Sequence, residues 1–469
     1  MITSVLLVLL IRESYAFVCD PNDVQILSGY AFPPNGNDSS YTSNTICHWQ
    51  IIPPQGKYIQ LQLTSDLTIP DDLSIIDGSG LLLKYPGVNS NIFSPIPLYL
   101  EFKATTNGTF KFAWLFSNIN YSPTAISRVI LNETTRPSAL LKSEIVYKTP
   151  YVIQSSSPMI IQAASAPLAG VTSLMTSAFV FDGEGIGGNY LGSLYTFAQA
   201  SYRSISSSTI TVISVTSFDY GIALVKPLSA IGNYSVALAY ALNSVTGTNI
   251  KLDGTKKPIA YTLYNPYDTD YYLTSTTFGL NSLATFVWQT GDLRPKAPSI
   301  RSFQLHYELQ FPQAIPGQLN TFIANTGSVS MGIGYTRPDV FDSVPIGTTT
   351  VFMSRNWPYI NIQQGHQITY ETGYPAMVNV SANFSTSSGG NKISVQASDG
   401  NGVSLSFRVK FGDPTLHVFG NKFTFTYDNT TTHGGAGALI TFQRDTTPKA
   451  GRLVAPFWVP LIFFSMLKL

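Results

Sequence analysis

The stretch Val403-Ser404-Leu405-Ser406-Phe407-Arg408-Val409-Lys410-Phe411 alternates apolar and polar side chains without a break. Because successive side chains of a β-strand point to opposite faces, its five apolar residues lie on one face and its four polar residues on the other. A strand of this kind packs one face against a core and leaves the other in water. The stretch therefore predicts an antiparallel sheet with one buried face.

The same period-2 alternation recurs along the whole chain, and we find no long stretch with a helical period. Strands that each bury one face are accommodated most economically by sandwiches of antiparallel sheets. We therefore predict an all-β protein of tandem antiparallel β-sandwich modules. The apolar faces are formed by Ile59, Leu61 and Leu63; Leu98, Leu100 and Phe102; Phe110, Phe112 and Trp114; Tyr234, Val236, Leu238 and Tyr240; Phe423, Phe425 and Tyr427; and Ala438, Ile440 and Phe442.

Two turn signals refine this picture. Asn107-Gly108 lies between two alternating segments, which predicts a β-hairpin. An alternating strand reaches an Asp-Gly turn near both ends of the chain, at Asp77-Gly78 and at Asp399-Gly400, and this suggests a duplicated unit. A single core is not expected to hold 469 residues. We predict β-rich domains at 17–118, 150–292 and 300–444, with a polar linker at 119–149.

Both termini have the composition of processing signals. A short apolar run, Val5 to Ile11, precedes Ser14-Tyr15-Ala16, so residues 1–16 are predicted to be a secretory signal peptide cleaved after Ala16. Residues 445–469 end in an apolar tail broken by two prolines, which is typical of a GPI-attachment signal. A membrane span or a buried strand are the alternatives for this tail.

Composition agrees with export. Charged residues are only 11% and the net charge is +1, so no basic patch for nucleic acid is expected.

Two cysteines, Cys19 and Cys47, predict a disulfide in an oxidising compartment, contributing on the order of 3–4 kcal/mol. A chain that enters the secretory pathway exposes its sequons to glycosylation. The predicted acceptors are Asn37, Asn107, Asn120, Asn132, Asn233, Asn379, Asn383 and Asn429.

The first predicted domain resembles the nematode CUB-like domain, a relative of the extracellular CUB β-sandwich. The resemblance is carried by Phe17-Val18-Cys19, by Cys47-His48-Trp49-Gln50-Ile51-Ile52-Pro53-Pro54-Gln55-Gly56, by the strand 58–63, by Leu73-Ser74-Ile75-Ile76-Asp77-Gly78 and by the strand 110–116. It implies a secreted or surface-anchored protein of a family linked to responses to microbes. Many CUB domains bind calcium, but the local aspartates, Asp66, Asp71, Asp72 and Asp77, serve turns equally well, and no cofactor or metal is predicted.

Catalytic motifs are not found in the sequence. Five histidines occur without an HExxH motif, and there is no GxSxG elbow, so no catalytic residue is assigned and the chain is not expected to be an enzyme. The segment Gly183-Glu184-Gly185-Ile186-Gly187-Gly188 matches the dinucleotide motif GxGxxG. Its flanks are strand-like, however, which favours a glycine-rich loop between strands.

Tyr264, Tyr267 and Tyr271 lie close to amides and carboxylates, and exposed tyrosines of this kind make platforms for sugars. The alternative is half-buried strand aromatics around an Asn-Pro turn. The sequence thus favours a non-enzymatic recognition protein of the cell exterior, anchored through a C-terminal lipid, with a glycan or protein ligand. The resemblance to the CUB-like family implies a role in innate immunity. A structural component of an extracellular coat and a secreted hydrolase are the alternatives.

Overall fold

Nearly every element of the computed structural model is a β-strand, so the prediction of an all-β fold is confirmed. The chain divides into two compact units, Met1–Leu242 with Leu293–Lys296, and Asn243–Asp292 with Ala297–Leu469. The described residues are 24–26, 40–41, 46–65, 72–80, 82–84, 90–103, 105–106, 108–121, 125–132, 138–166, 174–199, 203–217, 221–240, 248–266, 271–279, 285–293, 301–303, 313–315, 318–334, 349–353, 366–384, 392–398, 404–409, 414–428 and 438–444.

The first sandwich (24–118) consists of a five-stranded and a four-stranded sheet. Their strands are ordered β1–β3–β8–β5–β6 and β2–β9–β4–β7. The apolar residues of both sheets share one core. The strands are β1 (Val24–Ile26), β2 (Ser40–Tyr41), β3 (Ile46–Ile51), β4 (Lys57–Ser65), β5 (Asp72–Asp77), β6 (Leu82–Lys84), β7 (Ser90–Ser94), β8 (Leu98–Lys103) and β9 (Gly108–Asn118).

The second sandwich (127–227) follows in the same compact unit. Short helices Ser143–Val146, Met175–Ser177, Leu194–Ala198 and Leu228–Ile231 accompany its strands, and β19 (Ser235–Tyr240) packs against β13. The strands are β10 (Ser127–Ile130), β11 (Ala139–Lys142), β12 (Tyr151–Gln154), β13 (Met159–Ser165), β14 (Ala178–Asp182), β15 (Tyr190–Ser193), β16 (Arg203–Ile205), β17 (Thr209–Ser214) and β18 (Gly221–Pro227).

The second sandwich repeats the strand order of the first. Its five-stranded sheet is ordered β10–β12–β17–β14–β15, and its four-stranded sheet is ordered β11–β18–β13–β16. Adding nine to each strand number of the first sandwich gives both orders. In both sandwiches the outermost strand, β1 or β10, pairs in parallel with its neighbour, and the other pairs are antiparallel. The two sandwiches are therefore copies of one topology.

The second compact unit contains a third copy of this arrangement and a separate final sheet. The strand order β21–β26–β23–β24 matches β3–β8–β5–β6 of the first sandwich, and β20–β27–β22–β25 matches β2–β9–β4–β7. The ring centroids of Phe278 and Phe286, which lie on different sheets, are 6.2 Å apart. The strands are β20 (Thr248–Asp253), β21 (Ile259–Tyr264), β22 (Tyr271–Phe278), β23 (Thr285–Thr290), β24 (Arg301–Phe303), β25 (Gln313–Ile315), β26 (Leu319–Thr326) and β27 (Ser328–Gly334).

The final sheet has six antiparallel strands in the order β28–β33–β29–β32–β30–β31. Most of the alternating stretch 403–411 forms its edge strand, β31. The strands are β28 (Thr349–Met353), β29 (His366–Phe384), β30 (Lys392–Ser398), β31 (Ser404–Val409), β32 (Leu416–Asp428) and β33 (Ala438–Arg444).

This strand order groups the chain differently from the predicted domains. The predicted linker, 119–149, contains β10 and β11, and the predicted range 150–292 spans parts of two sandwiches. The repeated units are consecutive sandwiches, and the last sheet, which contains the strand before Asp399-Gly400, has a different strand order from the first sandwich. The reason is physical, because alternation marks where a strand lies, whereas its sheet is set by pairing with distant strands.

The predicted hairpin at Asn107-Gly108 is also corrected. β8 pairs with β3 and β5 in the five-stranded sheet, whereas β9 pairs with β2 and β4 in the opposite sheet. The connection between β8 and β9 therefore crosses from one sheet to the other. By contrast, the segment 183–188 connects the antiparallel strands β14 and β15, which confirms the predicted loop between strands.

The two sandwiches of the first unit pack directly on each other. Tyr58 and Phe93 on the four-stranded sheet of the first sandwich contact Phe179, Phe181 and their neighbours on the second. The backbone N–H of Phe93 donates a buried hydrogen bond of 2.9 Å to Thr176 Oγ1. The five-stranded sheet of the second sandwich is consequently buried on both faces, and this explains the unbroken apolar run of β14, which does not alternate.

No helix in the described part of the chain is both long and apolar enough to span a bilayer. The predicted signal peptide 1–16, the predicted anchor signal 445–469 and Cys19 lie outside the described residues.

Candidate functional site

The outer face of the five-stranded sheet of the first sandwich is open to solvent. Along β8, buried and exposed residues alternate strictly, with Leu98, Leu100 and Phe102 in the core and Tyr99 and Glu101 outside. On β3, Ile51 is buried and the half-buried Trp49 packs against the core, whereas the half-buried His48 and Gln50 lie on the other face of the strand. Register therefore places the polar residues of the two strands side by side. These outward residues are His48, Gln50, Tyr99 and Glu101.

The outward residues line a shallow recess of about 130 Å³, which we call the Tyr99 recess. Gln50 Nε2 donates a hydrogen bond of 2.9 Å to the hydroxyl of Tyr99, which lies directly opposite on β8. The Tyr99 side chain keeps 42% of its surface exposed. The amide thus holds an aromatic ring whose surface remains available. The recess is lined by His48, Trp49, Gln50, Ile76, Tyr99, Leu100 and Glu101.

Cross-strand pairing arranges the remaining groups around this ring. His48 lies opposite Glu101, and Tyr99 lies opposite Ile76 on β5. Directly opposed residues of antiparallel strands have Cβ atoms about 4.5–5.5 Å apart, so their side chains interact. The recess consequently combines an aromatic ring, an aliphatic side chain, an amide, an imidazole and a carboxylate.

The equivalent face of the second sandwich is not accessible. Thr211 and Ile213 on β17, the counterpart of β8, are fully buried at 0% exposure, and Phe179 on the neighbouring β14 is buried with them. Tyr58 and Phe93 of the first sandwich pack against Phe179 and Ile213 on this face, and Thr211 is hydrogen-bonded to the glycine-rich loop of its own sandwich. Of the two copies in the first compact unit, only the first presents its five-stranded sheet to solvent.

Other polar groups in the first unit have structural partners. Asp77 Oδ1 accepts hydrogen bonds from Ser79 N at 2.9 Å and Ser79 Oγ at 2.6 Å, which is the turn geometry expected of a local aspartate. Burial raises the pKa of the Tyr190 phenol well above its ordinary value, and the nearby Asp77 charge adds to the rise. The described residues contain no group of three or more His, Cys, Asp or Glu side chains placed to hold a metal ion.

An exposed ion pair fixes the glycine-rich loop of the second sandwich. Arg128 and Glu184 form two hydrogen bonds, Nη1 to Oε1 at 2.6 Å and Nη2 to Oε2 at 3.0 Å. Gln154 Nε2 adds a hydrogen bond of 3.1 Å to the same carboxylate. The hydrogen bond from Arg128 lowers the pKa of the Glu184 carboxyl from its usual value. The pair stabilises the loop and is distant in sequence from the Tyr99 recess.

The predicted tyrosine platform is corrected by the structure. Tyr264 is 3% exposed and Tyr271 is fully buried, and Tyr267 lies outside the described residues. A buried ring cannot offer its face to a sugar. The two tyrosines are strand aromatics packed in the interior, which is close to the alternative of half-buried strand aromatics.

The predicted acceptors of N-glycans differ in their surroundings. Asn120, Asn132 and Asn233 are exposed, whereas Asn379 is half-buried within β29 and its Oδ1 lies 2.6 Å from His417 Nδ1. Asn383 is also within β29. The remaining predicted acceptors and the first cysteine of the predicted disulfide lie outside the described residues; they are Asn37, Asn107, Asn429 and Cys19.

The Tyr99 recess was not predicted from the sequence, although its signal was present. The alternation of residues 98–102 predicts an apolar face that packs in the core, and the same alternation places Tyr99 and Glu101 on the outer face. The segment that begins at Cys47 similarly turns His48 and Gln50 outward. What the sequence lacked was the pairing of β3 with β8, which joins two segments about 50 residues apart.

No protein-family model matches the chain, and no curated protein matches it. Among solved structures, the chain is similar to the CUB1-EGF-CUB2 domains of rat MASP-1, at 11% identity and a TM-score of 0.17, over 43% of this chain and 99% of that one. The corresponding human MASP-1/3 domains match at 13% identity and a TM-score of 0.15, over 42% and 97%. The extracellular region of zebrafish Gpr126/Adgrg6 matches at 10% identity and a TM-score of 0.18, over 91% and 53%. Likenesses with scores this low support no functional conclusion for this chain.

Proposed function

We propose that the chain is a non-enzymatic recognition protein of the cell exterior, with an N-terminal CUB-like sandwich, that acts in innate immune responses to microbes. The observation that supports this function is the open polar and aromatic face around Tyr99 on the first sandwich. Surfaces that recognise ligands combine a few oriented polar groups with an aromatic anchor. The first sandwich also resembles the CUB-like family, whose members are secreted or surface-anchored and linked to responses to microbes, and this resemblance supports the proposed location and role.

Secretion, glycosylation and anchoring belong to the same proposal. Residues 1–16 direct export, residues 445–469 direct GPI attachment, and Cys19 and Cys47 form a disulfide near the mature N-terminus. Exposure of Asn120, Asn132 and Asn233 is compatible with glycans at these positions. Mass spectrometry of the secreted protein checks the disulfide, which is refuted by free thiols at both cysteines.

The test of the proposed function is binding of the purified full chain, produced through the secretory pathway, to a panel of intact microbes and isolated glycans. Saturable binding to one or more members is the expected result. A second arm uses a heat-unfolded sample of the same protein, which separates specific binding from adhesion. Absence of saturable binding across the panel would contradict the proposal.

A structural component of an extracellular coat is the second candidate, and one observation favours it. Strand β31 lies at the edge of the final sheet and exposes Leu405 at 37%. An edge strand presents unpaired backbone groups that can pair with another chain. This function predicts concentration-dependent assembly in size-exclusion chromatography, whereas a recognition protein without self-association elutes at one size.

A further inference from the structure

We infer that the Tyr99 recess binds one neutral pyranose ring of a glycan. This inference rests on the proposed function and names the ligand class of its site. It is carried by three features of the recess, namely the fixed aromatic ring, the hydrogen-bonding groups around it, and its size and charge.

The first feature is the orientation of the ring. A tyrosine on an open strand is free to rotate, and ordering it on binding costs conformational entropy. The hydrogen bond from Gln50 Nε2 to the Tyr99 hydroxyl, 2.9 Å long, restrains the side chain before a ligand arrives. Ile76 lies opposite Tyr99 and extends the apolar surface. A flat apolar surface of this kind matches the C–H face of a pyranose ring.

The second feature is the chemistry of the surrounding groups. Gln50 uses its amide N–H toward Tyr99, and its carbonyl oxygen is a group that accepts hydrogen bonds from a ligand hydroxyl. Glu101 contributes a carboxylate that accepts hydrogen bonds, and His48 lies beside it. Sugar hydroxyls are donors as well as acceptors, and hydrogen bonds to a carboxylate are stronger than those between neutral groups. The lining residues therefore offer hydrogen-bond partners to the hydroxyl groups of a sugar whose apolar face lies on Tyr99.

The third feature is size and charge. The volume of about 130 Å³ is below the roughly 300 Å³ at which pockets for drug-sized ligands begin, so the recess accommodates one ring rather than an extended chain. Among the described residues that line the recess, Glu101 is the acidic one and none is a lysine or an arginine. An acidic sugar would place a carboxylate or sulfate close to Glu101, where like charges repel. The recess consequently selects neutral sugars.

The location of the recess supports the same conclusion. The equivalent face of the second sandwich is buried, so of these two copies the first is the one whose face is open. None of the described residues that line the recess is a predicted glycan acceptor. A ligand reaching the first sandwich therefore meets this surface without displacing part of the protein.

The experiment measures binding of the full chain to neutral polysaccharides (mannan, β-glucan and chitin) and to acidic ones (heparin and polysialic acid). We expect saturable binding to at least one neutral polysaccharide, competed by the matching methyl pyranoside. Tyr99→Ala should weaken it by about tenfold or more, as expected for an aromatic anchor. Tyr99→Phe keeps the ring but loses the contact with Gln50, and should weaken binding by about two- to fivefold. Ile130→Ala is the matched control, because Ile130 is 68% exposed but lies on β10, outside the recess.

Circular dichroism of each variant separates loss of binding from loss of fold. The inference is overturned if Tyr99→Ala binds like Ile130→Ala, or if the parent protein binds only acidic polysaccharides. If the parent binds intact microbes but none of the neutral polysaccharides, this inference fails and the proposed function stands. If the parent binds neither microbes nor glycans, both fail.

Discussion

At the scale of single residues, the loop between β14 and β15 shows how a few positions hold a conformation. Thr211 Oγ1 accepts from Gly185 N and donates to Gly183 O, both at 2.7 Å, and Gly183 N donates to Thr209 O at 2.8 Å. Gly183 and Gly185 have φ angles of 76° and 83°, in the region that favours glycine. The glycines that suggested a dinucleotide motif thus serve a tightly hydrogen-bonded turn between strands.

Gly188→Ala should destabilise the second sandwich. A Cβ atom built at position 188 would lie 1.7 Å from the backbone oxygen of Asp182, so the strand end must move. Forced overpacking of this kind costs about 1–3 kcal/mol. Gly187→Ala is the matched control, because a Cβ there meets no atom within 4 Å. Urea unfolding of the two variants compares them, and equal midpoints would contradict the expectation.

The ion pair of Arg128 and Glu184 predicts a dependence of stability on pH. The pKa of Glu184 in the folded protein is lowered below its unfolded value, first by the hydrogen bond from Arg128. A lowered carboxyl pKa gives stabilisation that is present above the unfolded pKa and lost as pH falls through the folded pKa. Glu184→Gln should therefore be less stable than the parent at about pH 7, and the difference should shrink toward about pH 3.

Thermal unfolding at a series of pH values measures this difference. Because both side chains are half exposed, the effect is expected to be small and to shrink in high salt. Arg128→Gln serves as the matched variant and should produce the same pH dependence. A difference between parent and Glu184→Gln that stays constant across the acidic range would contradict the assignment.

At the scale of elements, burial on both faces distinguishes the strands of the second sandwich from those of the first. β8 alternates buried and exposed residues, whereas its counterpart β17 buries five residues in succession. The first sandwich supplies the second contact surface through the aromatic rings of Tyr58 and Phe93, which cluster with Phe179 of the second sandwich. The burial pattern of a strand thus differs according to whether its sheet has one packed face or two.

The hydrogen bond between Phe93 N and Thr176 Oγ1 should contribute measurably to packing of the two sandwiches. Thr176→Val keeps the shape but leaves a buried N–H without its acceptor, which costs about 1–3 kcal/mol. Thr176→Ser is the matched control, because it keeps the hydroxyl and loses only a methyl group, about 1 kcal/mol. In urea unfolding, the parent should have the highest free energy of unfolding, Thr176→Ser a lower one and Thr176→Val the lowest. A Val variant as stable as the Ser variant would remove the assigned role.

At the scale of the whole molecule, the chain is a series of repeated sandwiches followed by a different sheet. The first three groups share one strand order, and the fourth is a single six-stranded sheet. Repetition of one topology explains how a long chain with few charged residues folds as several moderate cores. It also makes the exposed face of the first sandwich distinct from its buried copy in the second.

The proposed lipid anchor is a property of the whole molecule. Expressed on the surface of cultured cells, the full chain should be released by a phosphatidylinositol-specific phospholipase, because that enzyme cleaves the lipid of a GPI anchor. A version of the chain ending at residue 444 is the control and should appear in the medium without the enzyme. Retention of the full chain on treated cells would favour a membrane span instead.

Alternation with period two was enough to predict an all-β fold, most strand positions and the inward residues of β8 and β4, because these depend only on local backbone geometry. The loop between β14 and β15 was predicted for the same reason. Tertiary structure alone decided which sheet each strand joins, since β3 and β8 meet through long-range pairing. It alone also buried Tyr264 and Tyr271 and left Tyr99 exposed, because exposure depends on which neighbouring sheet covers a face, and no local pattern records that neighbour.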